Sequence, residues 1–372
     1  MITVNEILTG DYPVLTSDMF RGEHSITPEK TLAIDIETTG LSPKDHFVYL
    51  IGCAFQEDGA WHLRQWLAES EKEEREVLAA FWGFAGGFDA LLHYNGNRFD
   101  IPFLKERFSR CDLGDIFERM DSLDLYQYAR PLKGILGIED LKQVSVERFL
   151  GVERRDTFSG KELIDVYRQF AEEPDDIRRG QLLLHNADDI RGLLKCLAVL
   201  SYAAFSENTE QIRVVKAQAK TYDDMNGARS KELYLELALP FTIPAPLSVH
   251  RDGCYLKAVA DKATLRVPIV TGEMKYFYAA WRDYYYLPEE DTALHKSVAE
   301  YVDKAYREKA TPATCYTRNY SQYLREWDTV FEPFFRESYE DHALYFELTD
   351  ERKKSREDLS RYAGHVISHI VQ

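Results

Sequence analysis

Residues 31–40, TLAIDIETTG, constrain this chain more than any other stretch: an apolar run delivers two carboxylates, Asp35 and Glu37, one residue apart. Successive side chains of a strand point to opposite faces, so the pattern predicts a strand with both acids on one face and Ile34 and Ile36 on the other. Two acids held side by side at a buried strand end repel each other, and a bound cation offsets that repulsion. A plain strand with its polar face in solvent gives the same local pattern, so the rest of the chain decides between the two.

The chain has 372 residues, enough for two domains of ordinary size. With 45% hydrophobic and 13% aromatic residues it has the composition of a globular protein. No apolar run approaches the roughly 18 residues of a membrane span. The opening MITVNEILTGDYPVL lacks the basic and long apolar regions of a secretory signal, so the expectation is a soluble, cytoplasmic protein. Five scattered cysteines (Cys53, Cys111, Cys196, Cys254, Cys315) include no C-x-x-C pair and suggest neither a disulfide framework nor a zinc site. A formal net charge of −17 argues against a protein that coats duplex nucleic acid, yet leaves room for an enzyme gripping a few nucleotides in a local groove.

Three blocks are expected: an arm over 1–30, an α/β domain over 31–205 and a smaller α+β domain over 206–372. In the second, 47–55 and 60–67 read as strands joined by an Asp58-Gly59 hairpin turn, and 71–84 as a surface helix. Residues 88–94 read as a strand, 99–108 as a helix with Pro102 in its first turn, and 120–125 as another strand. Helices are predicted over 138–151, 160–170 and 174–200. After Tyr202 the composition shifts: 207–229 is polar, a helix or a linker, and short β-like pieces follow, interrupted by a helix over 292–309 and closed by a charged helix to Gln372.

Three patches carry chemistry. The first is Asp35-Ile36-Glu37 followed by Thr38, Thr39 and Gly40. The second, Tyr94-Asn95-Gly96-Asn97-Arg98-Phe99-Asp100, brings a carboxylate just past a strand end and a glycine turn. In the third, His185-Asn186-Ala187-Asp188-Asp189, His185 and Asp189 are four apart and share one helix face. Asp188 lies about 100° further round the helix, turned to solvent or set behind the ligand face.

These patches, in this order and spacing, resemble the DEDD-type 3′-5′ exonucleases of the ribonuclease-H-like superfamily, and within them the bacterial YprB-like predicted exonucleases. The resemblance covers roughly residues 31–200. It implies a ribonuclease-H-like mixed five-stranded sheet flanked by helices, and a metal-dependent 3′-5′ exonuclease acting on single-stranded DNA or RNA with a free 3′ end. By resemblance, Asp35, Glu37, Asp100 and Asp189 would hold two divalent cations, Mg²⁺ or Mn²⁺, which suit carboxylate oxygens. His185 would be the general base. One departure stands out: the third motif usually places Tyr four residues, or His five, before the Asp, and here a His occupies the Tyr spacing.

Around the site, Thr38, Thr39, Asn95 and Arg98 are candidate substrate contacts, and Phe99 is a core residue or a base-stacking one. Arg98, Lys105, Arg107 and Arg110, with Arg130, Lys133, Arg154 and Arg155, form a basic zone in an acidic chain. Tyr276, Tyr278, Tyr284, Tyr285, Tyr286 and Tyr316 read as strand and core residues, with stacking on bases as the alternative. Two other functions fit the same residues: a hydrolase of short oligonucleotides or dinucleotides, and an inactive nucleic-acid-binding protein on the same fold. All four acids are present, which favours an enzyme. No membrane association is expected, and protein partners are left open by the sequence.

Overall fold

The computed structural model describes residues 1–16, 19–20, 26–156, 158–223 and 229–371. Residues 17, 18 and 21–25 of the expected arm and 224–228 of the expected linker lie outside the described residues. The chain divides into two units, Met1–Ala203 and Ala204–Gln372.

Unit 1 is built on six strands: β1 (Ile2–Ile7), β2 (Thr31–Thr38), β3 (Val48–Glu57), β4 (Ala60–Leu67), β5 (Ala90–His93) and β6 (Asp121–Asp124). Their order is β1-β4-β3-β2-β5-β6. The first four pair antiparallel, and β5 and β6 run parallel to β2. The hairpin between β3 and β4 turns on Asp58 (φ 51°) and Gly59 (φ 77°), the doubly left-handed geometry that a two-residue turn needs to match strand twist. The sheet thus has one strand more than the five expected; the addition, β1, pairs with β4 at the edge and carries no clean alternation in sequence.

The helices α1 (Glu74–Ala85), α2 (Asp100–Arg110), α3 (Leu125–Leu136), α4 (Gln143–Phe149), α5 (Gly160–Glu172) and α6 (Asp176–Cys196) complete the unit, and α7 (Val199–Glu207) runs across its boundary. α3 has no counterpart in the sequence reading; Pro131 stands inside it, and the Asp124 side chain caps it by accepting the Tyr126 N–H. One face of β2 sends Leu32, Ile34 and Ile36 into a core shared with Val77, Leu78 and Phe81 of α1 and Phe103, Leu104 and Phe108 of α2. Beyond the other face a second core joins Tyr49, Leu50 and Leu67 to Leu163, Tyr167 and Phe170 of α5 and Leu182 of α6. Helices on both faces of a mixed sheet leave the β2 carboxylates pointing toward α6, which packs against β2, β3 and β4.

Unit 2 holds three small sheets. The long hairpin pair β7 (Arg213–Asp223), β8 (Arg229–Arg251) and β9 (Cys254–Pro268) forms the first. β10 (Val270–Phe277), β11 (Tyr284–Leu287), β12 (Thr292–His295), α8 (Lys296–Ala299), β13 (Glu308–Lys309), β14 (Tyr316–Glu326), β15 (Phe334–Phe335), β16 (Leu344–Glu347), α9 (Asp350–Lys354) and α10 (Arg356–Val371) follow. Two expectations are corrected. Residues 213–223 are a strand, not a helix or linker, because alternate residues Ile212 and Val214 are buried under α10 and the Val214 N–H finds Ser360 Oγ at 2.9 Å. The helix expected over 292–309 is a strand, a four-residue helix and a strand, since pairing of Thr292–His295 with β11 overrides the helical spacing. The tyrosines pack mostly on one another: Tyr278 stacks on Tyr284 with centroids 4.6 Å apart, and Asp291 accepts the hydroxyls of both Tyr286 and Tyr316.

Candidate metal centre

Asp35 and Glu37 leave β2 on the face opposite Ile34 and Ile36, as the alternation requires. Asp35 is registered against Gly52 of β3. A Cβ at position 52 would lie 2.0 Å from Asn186 Oδ1, so glycine there lets α6 approach the strand. Through that gap Asn186 donates from Nδ2 to Asp35 Oδ2 at 2.8 Å, while its Oδ1 accepts from Gln65 Nε2 at 2.8 Å.

α6 starts at an Asp175 cap that accepts the N–H groups of Ile177 and Arg178, and its middle turn is buried. His185 Nε2 faces Asp189 Oδ2 at 3.2 Å and Glu37 Oε1 at 3.5 Å, and His185 Nδ1 meets Asp156 Oδ2 at 2.6 Å. Glu37, His185 and Asp189 offer ligand atoms that all lie within 4.8 Å of one another. The far oxygen of Asp189 accepts from Arg154 Nη2 at 2.7 Å, and Arg154 also forks onto the buried Glu147, Nε–Oε2 2.5 Å and Nη2–Oε1 2.7 Å. Gln143 Nε2 ties Glu147 Oε1 to the Asp189 carbonyl, both at 2.8 Å. Gly192 leaves room for this network, because a Cβ there would sit 1.9 Å from Glu147 Oε1.

Asp100 opens α2 after the tight turn at Asn95, whose φ is 60°. Asp124 Oδ1 fixes that turn by accepting the Asn95 N–H at 2.7 Å. His93 accepts the Gly96 N–H on Nδ1 at 3.0 Å and lies 2.9 Å from Ser122 Oγ through Nε2. It is therefore a neutral structural histidine, and burial pulls its pKa down to about 4.

The electrostatics of the four acids follow from this crowding. Burial, then the charges of Asp189, Glu37 and Asp100, push Asp35 well above the usual carboxylate range. Burial, then Asp189, Asp100 and Asp156, do the same for Glu37. Burial raises Asp100 to about 7, although the backbone N–H groups of Asp100 and Ile36 oppose it. Asp189 is raised by burial despite Arg154 and His185. Among the described residues no lysine or arginine forms an ion pair with Asp35, Glu37 or Asp100. Four crowded carboxylates with one guanidinium and one imidazole between them are short of positive charge, and hard oxygen donors of this kind fit divalent cations.

The remaining sequence candidates are placed as follows. The Thr38 hydroxyl donates to the Gly40 carbonyl at 2.9 Å and Thr39 Oγ1 accepts the Phe47 N–H at 3.2 Å, so both hydroxyls shape the loop after β2. Asn95 Oδ1 is buried with no protein partner. Arg98 is exposed, with its guanidinium 5.7 Å from the Tyr126 ring centre, and Phe99 packs against Phe103. Asp188 is not turned to solvent: it is 6% exposed and its Oδ2 accepts the N–H groups of Arg155 and Asp156 at 2.8 and 2.9 Å. Half of the expected basic zone is already paired, Lys105 with Asp115, Arg107 with Glu74, Arg110 with Glu106 and Arg154 with Glu147 and Asp189. The sequence reading assigned no role to Asn186, Gln65, Gly52, Glu147 or Asp156. Only Asn186, inside the His185–Asp189 patch, carried a local signal.

Fold and site together define a ribonuclease-H-like unit with a carboxylate and histidine cluster where β2 meets α6. Residues 32–201 match the family model described as the RNase_H superfamily. An uncharacterized protein of Methanocaldococcus jannaschii is 27% identical over 162 residues, which cover 42% of this chain and 87% of that protein. Among solved structures, the family B DNA polymerase of Pyrobaculum calidifontis aligns at 14% identity and TM-score 0.38, over 72% of this chain and 38% of the polymerase. E. coli exonuclease I in complex with a dT13 oligonucleotide aligns at 12% identity and TM-score 0.32, over 56% of this chain and 54% of that one. The chain thus spans about half or less of the length of these two solved proteins.

Proposed function

We propose that unit 1 is a metal-dependent exonuclease of the DEDD type, similar to the YprB-like family, which removes nucleotides from the 3′ end of single-stranded nucleic acid. The observation that carries this reading is the convergence of Glu37, His185 and Asp189 around one point, with Asp35 and Asp100 close enough for the charges to feel one another. In this reading Asp35, Glu37 and Asp189 hold one divalent cation, and Asp35 with Asp100 a second, Mg²⁺ or Mn²⁺. When bound, such ions polarise the phosphodiester and favour ionisation of the attacking water.

The chain's own groups do the rest. Asn186 fixes the carboxylate of Asp35 by a bond to one oxygen, leaving the other for a ligand. Arg154 does the same for Asp189, taking Oδ1 and leaving Oδ2 on the cluster side. His185 accepts a proton from water at Nε2. Arg98, exposed beside the Asp100 turn, contacts the terminal nucleotides. The experiment is digestion of 5′-labelled single-stranded DNA and RNA with Mn²⁺. A ladder shortening one nucleotide at a time, abolished by chelation, by a 3′-phosphate block and by Asp35→Ala, is expected; equal cleavage by the Asp35→Ala protein refutes the assignment.

A second reading is favoured by the pairing of Lys105, Arg107, Arg110 and Arg154 with acids, which takes half of the expected basic zone away from a long strand. In it the substrate is an oligonucleotide of a few residues. A rate that rises as the substrate is shortened below about ten nucleotides, the upper part of the range over which a single-strand groove tracks the backbone, selects it.

A further inference from the structure

We infer that Asp156 is the positioning residue of the His185 imidazole: it accepts the Nδ1–H and so fixes the ring with its Nε2 edge toward Glu37 and Asp189. That this Nε2 then takes a proton during hydrolysis rests on the nuclease reading above; the Nδ1–H bond does not.

The geometry over-determines the Asp156 carboxylate. Its Oδ2 lies 2.6 Å from His185 Nδ1, its Oδ1 accepts the Phe158 N–H at 3.2 Å, and the side chain is 3% exposed. The backbone that carries it is clamped in turn, because Asp188 Oδ2 accepts the N–H groups of both Arg155 and Asp156. Arg191 balances the charge of Asp188 through a contact of 3.1 Å to its other oxygen. Adjacent residues of α6 therefore divide the work: Asp188 sets the loop, the loop sets Asp156, Asp156 sets His185, and Asp189 faces the same imidazole from one turn on.

An ionised carboxylate has no proton to give, so the nitrogen it meets at 2.6 Å must be the donor. With Nδ1 held in this way, the other ring nitrogen, Nε2, is the atom that points at the acid cluster. This is the arrangement by which a carboxylate behind a histidine fixes both ring orientation and basicity. If His185 takes a proton from water, the O–H electron pair stays on the oxygen, the proton goes to Nε2, and the resulting imidazolium lies against Asp156. It also accounts for a His at the spacing where the resemblance leads one to look for Tyr: a phenol has no second edge for Asp156 to grip.

The test uses the full chain labelled with ¹⁵N histidine, with Mg²⁺ at about pH 8, above the ordinary imidazole range. Long-range proton–nitrogen correlations, with the His185 signals identified by their loss in His185→Gln, are expected to show Nδ1 protonated in the wild type. A ring whose Nδ1 carries no proton overturns the inference without reference to any activity. In Asp156→Asn the carboxamide donates to Nδ1, the proton moves to Nε2, and kcat is expected to fall about 10³–10⁴-fold, as when a catalytic histidine is held in the wrong tautomer. KM and Mg²⁺ affinity are expected to stay within about threefold, since the metal-holding carboxylates are untouched. An active wild type whose Asp156→Asn form keeps its kcat overturns the positioning role. A wild type with a protonated Nδ1 that cleaves nothing refutes the nuclease reading and leaves the dyad standing.

Discussion

Asn186 of α6 and Asp35 of β2, 151 positions apart in sequence, are joined by a 2.8 Å hydrogen bond that passes over the bare backbone of Gly52. The bond ties the helix that brings His185 and Asp189 to the strand that brings Asp35 and Glu37. Replacing Asn186 with Leu leaves the buried Gln65 amide without its side-chain acceptor and the Asp35 carboxylate without its donor. The expected loss is about 1–3 kcal/mol in chemical unfolding, together with weaker Mn²⁺ binding.

Gly52→Ala tests the same contact from the other side. The new methyl would stand 2.0 Å from Asn186 Oδ1, so the amide must swing away from Asp35. Stability is expected to fall by about 1–3 kcal/mol, as for other overpacked core sites. Because both changes break one contact, the double variant with Asn186→Leu should lose clearly less than the sum, which a double-mutant cycle reads directly.

Arg154 lies between the buried Glu147 and Asp189. Arg154→Met leaves Glu147, whose side chain is 1% exposed, as an uncompensated buried charge. A loss of about 3–5 kcal/mol is expected in urea unfolding. Adding Glu147→Gln should recover most of it, since the amide keeps an acceptor for Gln143 and carries no charge. Equal instability of the single and double variants would show that the ion pair is not what holds this corner.

The raised acids make the metal-free protein pH-sensitive. An acid whose folded pKa exceeds its unfolded value of about 4 binds more protons folded than unfolded, so its contribution to stability declines as pH rises toward the folded value. For Asp100 that value is about 7, and Asp35 and Glu37 are held higher than usual by burial and mutual repulsion. His93, buried and depressed to about 4, slopes the opposite way, but only below its unfolded value of about 6.5. Between about pH 6.5 and 8, chelated protein is therefore expected to lose about 1 kcal/mol from Asp100, with Asp35 and Glu37 adding in the same direction. Mg²⁺ should reverse the loss, and Asp35→Asn should flatten it; thermal melts at both pH values check this. A chelated wild type as stable at the upper pH as at the lower contradicts the assignment of these acids.

Arg98 is exposed beside the Asp100 turn, and no carboxylate pairs with it among the described residues. On the proposed reading Arg98→Ala raises KM a few-fold with kcat nearly unchanged, and lowers the slope of log KM against log salt by about one phosphate contact. Steady-state kinetics across a salt series measure both.

Much of unit 1 is legible in sequence because its signals are local. The β2 run, the Asp58-Gly59 turn, the strand before Asn95-Gly96 and the four-residue spacing of His185 and Asp189 each declare themselves within about ten residues, and the structure places them accordingly. What escaped depends on tertiary contact. β1 becomes a strand by pairing with β4, and α3 forms despite Pro131 because the Asp124 cap and its buried face stabilise it. Asp156 is remote in sequence from His185 in a loop without periodicity, so nothing local marks it. Of the two places open to Asp188, the structure takes the one behind the ligand face: helix geometry turns it off the Asp189 face, and the 155–156 backbone comes back to cover it. Arg154 looked like part of a strand-binding surface; the fold spends its charge inside the acid cluster.

On the proposed reading Asp35, Glu37, Asp100 and Asp189 are crowded together to hold divalent cations. Anomalous diffraction at the manganese edge from crystals soaked in Mn²⁺ tests it most directly. The expected result is density bridging Asp35, Glu37 and Asp189, with a second peak between Asp35 and Asp100 when a nucleotide is bound. Crystals that take up Mn²⁺ elsewhere but show none between Asp35 and Asp189 would contradict it.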